Sequence, residues 1–235
     1  MKRILALLML VGVVGCGTKD LTGPNGEPIK VYKGEDEYGN KIEYQFYQGG
    51  MGQVKHGYYR VFDGGGNIYI KGEYNESEKW NGTFAEYYEN GGLREKVKYR
   101  FGSSHGKSVW YYENGEIEVG RSYRSGKKHG KWVYYYGNGQ LEMERVYQAG
   151  GKIREVKYYE NGLIEVERNY KIGLFGGEKH GRWVYYYDNG QLEMERIYNS
   201  GLRDGMEVRY DRAGNIIDED IYKDGDCVDM CEGDE

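Results

Sequence analysis

Proline is nearly missing from this 235-residue chain: there are two, against 39 glycines. Glycine does not recur at every third position, which excludes a collagen-like helix. Beyond the first fifteen residues no stretch is apolar enough to span a bilayer. Positive charge is not in excess; the net charge is −5. That argues against nucleic acid as a partner, because phosphate binding needs a basic surface. Gly-x-Ser-x-Gly, a glycine-rich phosphate loop and His-Glu-x-x-His are all absent. No Ser, His and Asp gather in one unrepeated segment, so the sequence offers no catalytic constellation, cofactor or metal centre. What it does have is tyrosine, 27 of them, punctuated by glycine. That combination predicts many short strands joined by tight turns.

The N-terminus must be set aside before the fold is read. Met1-Lys2-Arg3 is followed by an apolar run from Ile4 to Val14 and then by Gly15-Cys16. A basic start, a short apolar run and a small residue before the cut describe a secretory signal. The placement of Cys16 resembles a bacterial lipobox, which implies cleavage after residue 15 and a lipid on Cys16. Gly17 as the next residue resembles the pattern sent to the outer membrane in bacteria with two membranes. Residues 1–15 are thus expected to be a lipoprotein signal peptide, and 16–37 a tether and lead-in. A repeat domain is expected over 38–225 and an acidic tail over 226–235. With Lys2 and Arg3 removed the charge becomes −7. In an oxidising compartment Cys227 and Cys231 are expected to form a disulfide. Free thiols, or a metal held with Asp224, Asp226 or Asp229, are the alternatives the spacing leaves open.

The rest of the chain repeats itself. His129 to Tyr147 and His180 to Tyr198 are almost the same text. Weaker copies keep register through Gly57, Gly82, Gly106, Gly130, Gly181 and Gly205, with Ile153 in that place in the fifth copy. A second glycine follows nine residues later, at Gly66, Gly91, Gly115, Gly139, Gly162, Gly190 and Gly214. The seven copies have a pitch of about 24 residues, broken once by an insertion at 173–177. Each reads as a hairpin. A Trp-Val-Tyr-Tyr type strand meets an Asn-Gly turn, whose residues both tolerate positive φ, and an alternating Leu-Glu-Met-Glu-Arg-Val-Tyr type strand returns.

Gly-x-Trp, the Tyr-Tyr pair, Asn-Gly and the closing Tyr123-x-x-Gly126-Lys127-x-x-Gly130 resemble the MORN repeat family in its bacterial variant. The resemblance covers about residues 38 to 225. It implies an all-β fold, an elongated antiparallel meander of stacked hairpins with fourteen to sixteen strands. Many bacterial proteins with such repeats carry the label of toxin–antitoxin antitoxin, which implies a protein-binding rather than an enzymatic role. Ser108, Glu155 and Glu207 depart from the pattern by replacing Trp, and those copies are expected to pack more loosely.

Alternation along a strand sorts the side chains by face. One face is expected to carry the core: Val109, Val133, Val156, Val184 and Val208, the second-strand Leu, Ile and Met, and the closing Tyr of each copy. The other is expected to carry Trp110, Tyr112, Trp132, Tyr134, Tyr136, Tyr159, Trp183, Tyr185 and Tyr187. With them go Glu118, Glu142, Glu144, Glu165, Glu167, Glu193 and Glu195. Such a face either covers the sheet's second side or is a docking strip for a partner. On the second view Trp110, Tyr112, Trp132, Tyr134, Tyr136, Trp183, Tyr185 and Tyr187 are the candidate partner-binding residues. Arg121, Arg145, Arg168 and Arg196 form a column expected to pair with Glu. His56, His105, His129 and His180 each precede a repeat glycine (Gly57, Gly106, Gly130 and Gly181) and lie too far apart to share a metal. The sequence therefore points to an exported, lipid-anchored scaffold for a protein partner. A structural envelope protein stacking its aromatics on cell-wall glycan, or touching lipid, is the other reading.

Overall fold

The computed structural model describes residues 22–24, 26–75, 77–173, 176–229 and 231. The signal peptide and Cys16 lie outside them. Among the described residues the chain forms 21 strands and no helix. Every pairing is antiparallel, and the long strands follow one another in chain order as one open sheet, with the short strands of the connections pairing back on the strand before them. The sheet runs past the expected repeat boundaries at both ends. Lys30–Glu35 pairs with Lys41–Gly49, and Asp226–Asp229 pairs with Ile216–Lys223.

The strand count exceeds expectation because the connections between copies are themselves paired. After the closing Tyr the chain makes a two-residue turn, and its flanks keep bonding, as in Tyr123↔Lys128 and Arg124↔Lys127. Ser125 and Gly126 there take φ of 50° and 78°, and Ala149 and Gly150 take 51° and 93°. Two consecutive positive φ values make these type I′ turns, whose twist matches that of the strands. Each such turn also bonds the preceding connection: Gly126 N donates to Ser104 O at 2.9 Å, and Gly150 N to Lys128 O at 3.1 Å.

The Asn-Gly turns are of a different type. Only the glycine is left-handed, as at Gly139 with φ of 81°. Gly139 N donates to Tyr136 O, and Tyr136 N to Gln140 O. The turn is thus a type I turn closed by a glycine bulge. Asn138 contributes through its side chain, whose Oδ1 accepts from Gln140 N at 2.9 Å.

A bulge near this turn also corrects the sorting of faces. Tyr134 pairs with Met143 but Tyr135 pairs with Leu141, leaving Glu142 unpaired. The same shift recurs at Trp110/Tyr111, Lys157/Tyr158, Tyr185/Tyr186 and Arg209/Tyr210. One extra residue exchanges the faces of everything beyond it. Trp132 therefore lies opposite Arg145, on the face of Tyr134 and Met143, whereas Val133 lies opposite Glu144. On the valine face, cross-strand charges pair: Lys131 with Glu144, Arg154 with Glu167, and Arg182 with Glu195.

The tryptophan face carries the densest packing. Trp132 and Trp183 are 4% and 6% exposed. Trp132 sits between Tyr123 and Tyr147, with ring centroids 5.2 and 4.8 Å away, and Trp183 sits likewise between Tyr170 and Tyr198. Arginines lie on the same rings: Arg121 is 4.5 Å from Trp110 and 5.0 Å from Trp132, and Arg168 is 5.2 Å from Trp183.

Two of the copies without Trp are not loose. Ser108, Glu155 and Glu207 are all among the most buried residues, but Ser108 borders a cavity of about 280 Å³, whereas the two glutamates fill their places. Glu155 takes the Trp position and receives Arg145 at 2.6 Å, Lys152 at 3.0 Å and Arg168 at 3.2 Å. Burial pushes its carboxyl up, and the hydrogen bonds and charges of Arg145 and Lys152 overcome this, leaving it at about 2. Glu207 is held in the same way by Arg196, Arg203 and Arg209. A buried carboxylate with three cationic neighbours replaces an indole, and the arginine column supplies the charge.

Candidate functional site

The eight residues singled out as candidate partner contacts fall into four groups. Trp132 and Trp183 are core residues. Their indole nitrogens donate inward, to Ser122 O at 2.9 Å and Asn169 O at 2.8 Å, and leave no ring face for a partner. Tyr134 and Tyr185 are half-buried beside them, each in contact with the arginine column, at 5.5 Å from Arg145 and Arg168 respectively.

Tyr112, Tyr136 and Tyr187 lie elsewhere, at the Asn-Gly turns. With Tyr88 and Tyr159 they form a ladder from copy to copy. Tyr88 Oη donates to Tyr111 O, Tyr112 Oη to Tyr135 O, Tyr136 Oη to Tyr158 O, Tyr159 Oη to Tyr186 O and Tyr187 Oη to Tyr210 O, at 2.6–2.8 Å. The bulge places Glu118, Glu142, Glu165 and Glu193 beside this ladder, all half-buried. A second acidic row, Glu89, Glu113, Glu160 and Asp188, follows the same tyrosines in the turns and is exposed. Burial, then the charges of Glu118 and Glu142, hold the Tyr112 hydroxyl above its ordinary range. Burial, then Glu142, Glu165 and Glu160, do the same for Tyr136.

The N-terminal end of this edge opens into a cleft of about 890 Å³. Tyr69, Tyr88 and Trp110 line it together with Glu89, Glu113 and Glu118. Trp110 is half-buried, and its indole nitrogen donates to Glu95. One cation is present in the lining, Arg94, which is paired with Glu86 at 2.7 Å. Among the described residues Glu89, Glu113 and Glu118 make no ion pair. Of the eight expected contacts, Trp110 alone lines this cleft. Tyr69, Tyr88, Glu89 and Glu113 were not anticipated. The signal that could have found the last three is the acid that follows the last tyrosine of the first strand in most copies.

At the other end, Cys227 and Cys231 lie side by side with Cα atoms 6.1 Å apart, a separation that a disulfide can bridge. Asp220, which is buried, has its carboxylate within 4.8 Å of both sulfurs, whereas Asp224, Asp226 and Asp229 do not belong to that group.

Four segments match the MORN repeat variant. They are residues 80–100, 104–124, 128–149 and 179–200, four of the seven copies. Each matched segment spans one hairpin together with its I′ connection or the start of it. No curated protein matches the chain. The matched segments and the all-β hairpin meander together describe a scaffold of stacked repeats.

Proposed function

We propose that this protein is a non-enzymatic lipoprotein of the bacterial cell envelope, anchored through Cys16. Its repeat scaffold binds a protein partner, in the manner of an antitoxin or immunity protein. The observation that carries this reading is the cleft at Tyr88 and Trp110. It combines half-buried aromatic rings with carboxylates that make no ion pair among the described residues, and aromatic rings are common anchors of protein interfaces. The tyrosine ladder behind it holds the edge rigid from copy to copy, so a partner would meet a preformed surface. Acidity favours a protein over an anionic lipid surface.

The test is affinity capture from envelope extracts with the full chain carrying Cys16→Ser, beside the same chain carrying Trp110→Ala and Glu118→Gln. One protein retained by the first and lost from the second supports the reading. Retention of glycan or lipid with no protein would replace it with the structural envelope role.

A further inference from the structure

The two ends of the acidic edge share one arrangement and differ in the residue that faces the ladder tyrosine: Arg212 at one end, Glu113 at the other. At the C-terminal end Tyr187 donates to Tyr210 O, and two residues beyond Tyr210 stands Arg212. The Arg212 guanidinium lies over the Tyr187 ring, 5.0 Å from its centroid. Its Nη1 is 2.6 Å from Oδ1 of Asp188, the residue after Tyr187. At the cleft Tyr88 donates to Tyr111 O, Glu89 follows Tyr88, and two residues beyond Tyr111 stands Glu113. The ring and the first carboxylate are kept, but the internal guanidinium is replaced by a second carboxylate. Glu118 adds a third, and the space is an open cleft.

We infer that the cleft takes an arginine side chain from the partner protein, in the place that Arg212 fills at the other end. The inference rests on the scaffold reading and names the chemistry of its site. A guanidinium is flat, always charged and able to lie on an aromatic face while donating to carboxylates at its rim. The cleft supplies those elements: the ring of Tyr88 and the carboxylates of Glu89, Glu113 and Glu118, beside Trp110, whose ring already carries Arg121. Arg94, 5.9 Å from the Tyr88 ring centroid, is engaged by Glu86 and does not neutralise them. Further along the edge Glu142, Glu160, Glu165 and Glu193 also make no ion pair among the described residues. Successive tyrosines there are spaced by about two strands, roughly 9–10 Å. An extended segment with several arginines can therefore meet the edge at more than one copy.

The test uses the full chain and fluorescent peptides in which glycine alternates with arginine, lysine or citrulline, with anisotropy as readout. The arginine peptide is expected to bind, and the citrulline peptide, of the same shape without the charge, to bind at least about tenfold more weakly. Glu113→Arg recreates the C-terminal arrangement and should abolish binding. Glu219→Arg makes the same charge change at an exposed position on the valine face and should keep it. Both positions are exposed, so the unfolding midpoints should stay near that of the unmodified chain. Equal binding of all three peptides, or equal loss in both variants, would overturn the inference. So would a captured envelope partner that Glu113→Arg still retains, an outcome that leaves the scaffold reading standing. Peptide binding lost only in Glu113→Arg, with no envelope protein captured, would support the arginine site and remove the scaffold reading instead.

Discussion

The hydroxyl of Tyr136 donates to the main-chain carbonyl of Tyr158, one hairpin further on, at 2.8 Å. The bond ties two copies together at the end of the sheet where their strands no longer pair. In a stack where each copy touches only its neighbours, such interface bonds determine how cooperatively the rod melts. Tyr136→Phe should keep the ring and lose the bond, at a cost of about 0.5–1.5 kcal/mol. Urea unfolding followed by tyrosine and tryptophan fluorescence would measure it. A cost near zero would mean that water replaces the bond and that the ladder is incidental to stability.

Trp132→Ala removes an indole packed between two tyrosines and leaves Ser122 O without its donor. The expected loss is about 3–5 kcal/mol, the usual range for a buried Trp. Trp110→Ala, at a half-buried cleft position, should cost much less. Loss of partner binding by Trp132→Ala in a chain that melts like the original would contradict the core placement. Loss of fold is what the geometry requires.

The contrast between those two tryptophans also separates what the sequence discloses from what it does not. The hairpin pitch is legible because a glycine with positive φ is needed at the same point of every copy and the chain supplies one each time. The tyrosine that opens five of the seven turns is legible because it recurs at the same distance from that glycine. The faces are not legible, because the bulge at Glu142 and its equivalents adds one residue between the two strands without any distinctive side chain. Counting by twos across that turn joins the valine set of one strand to the methionine set of the other. The partnership of Glu155 with Arg145 and Arg168 is half legible: the arginine column is plain in the text. That a glutamate could occupy a tryptophan's seat follows only once the column is seen to border it on both sides.

Glu155 makes the stability dependent on acid. Its folded pKa of about 2 lies below the ordinary value of 4.5. The stabilisation is therefore fully present above that ordinary value and fades as pH falls from about 4.5 toward 2. A shift of this size corresponds to about 3 kcal/mol. Glu155→Gln should cost at least that near neutral pH, because Arg145, Lys152 and Arg168 would then crowd a neutral group. Unfolding free energies of both chains at pH 6 and at pH 2.5 test this. The gap between them should narrow sharply in acid. A gap independent of pH would mean that the carboxylate is not the charge the three cations hold.

The I′ turns carry residues poorly suited to their backbone. Ala149 and Ser200 sit at φ of 51° and 47°, followed by Gly150 and Gly201 at 93° and 94°. A non-glycine residue pays steric strain in this region, and asparagine pays least, which is why Asn-Gly dominates such turns. Ala149→Asn and Ser200→Asn should each stabilise the chain by roughly 0.5–1 kcal/mol, with effects that add because the turns lie in different copies. The reverse change, Gly150→Ala, places a Cβ at φ of 93° and should destabilise by more than either gain. Thermal melts of the three variants and the double Asn variant would decide it. If the asparagines are neutral while Gly150→Ala is harmful, the alanine and serine are already relaxed, and the second turn residue alone sets the register between copies.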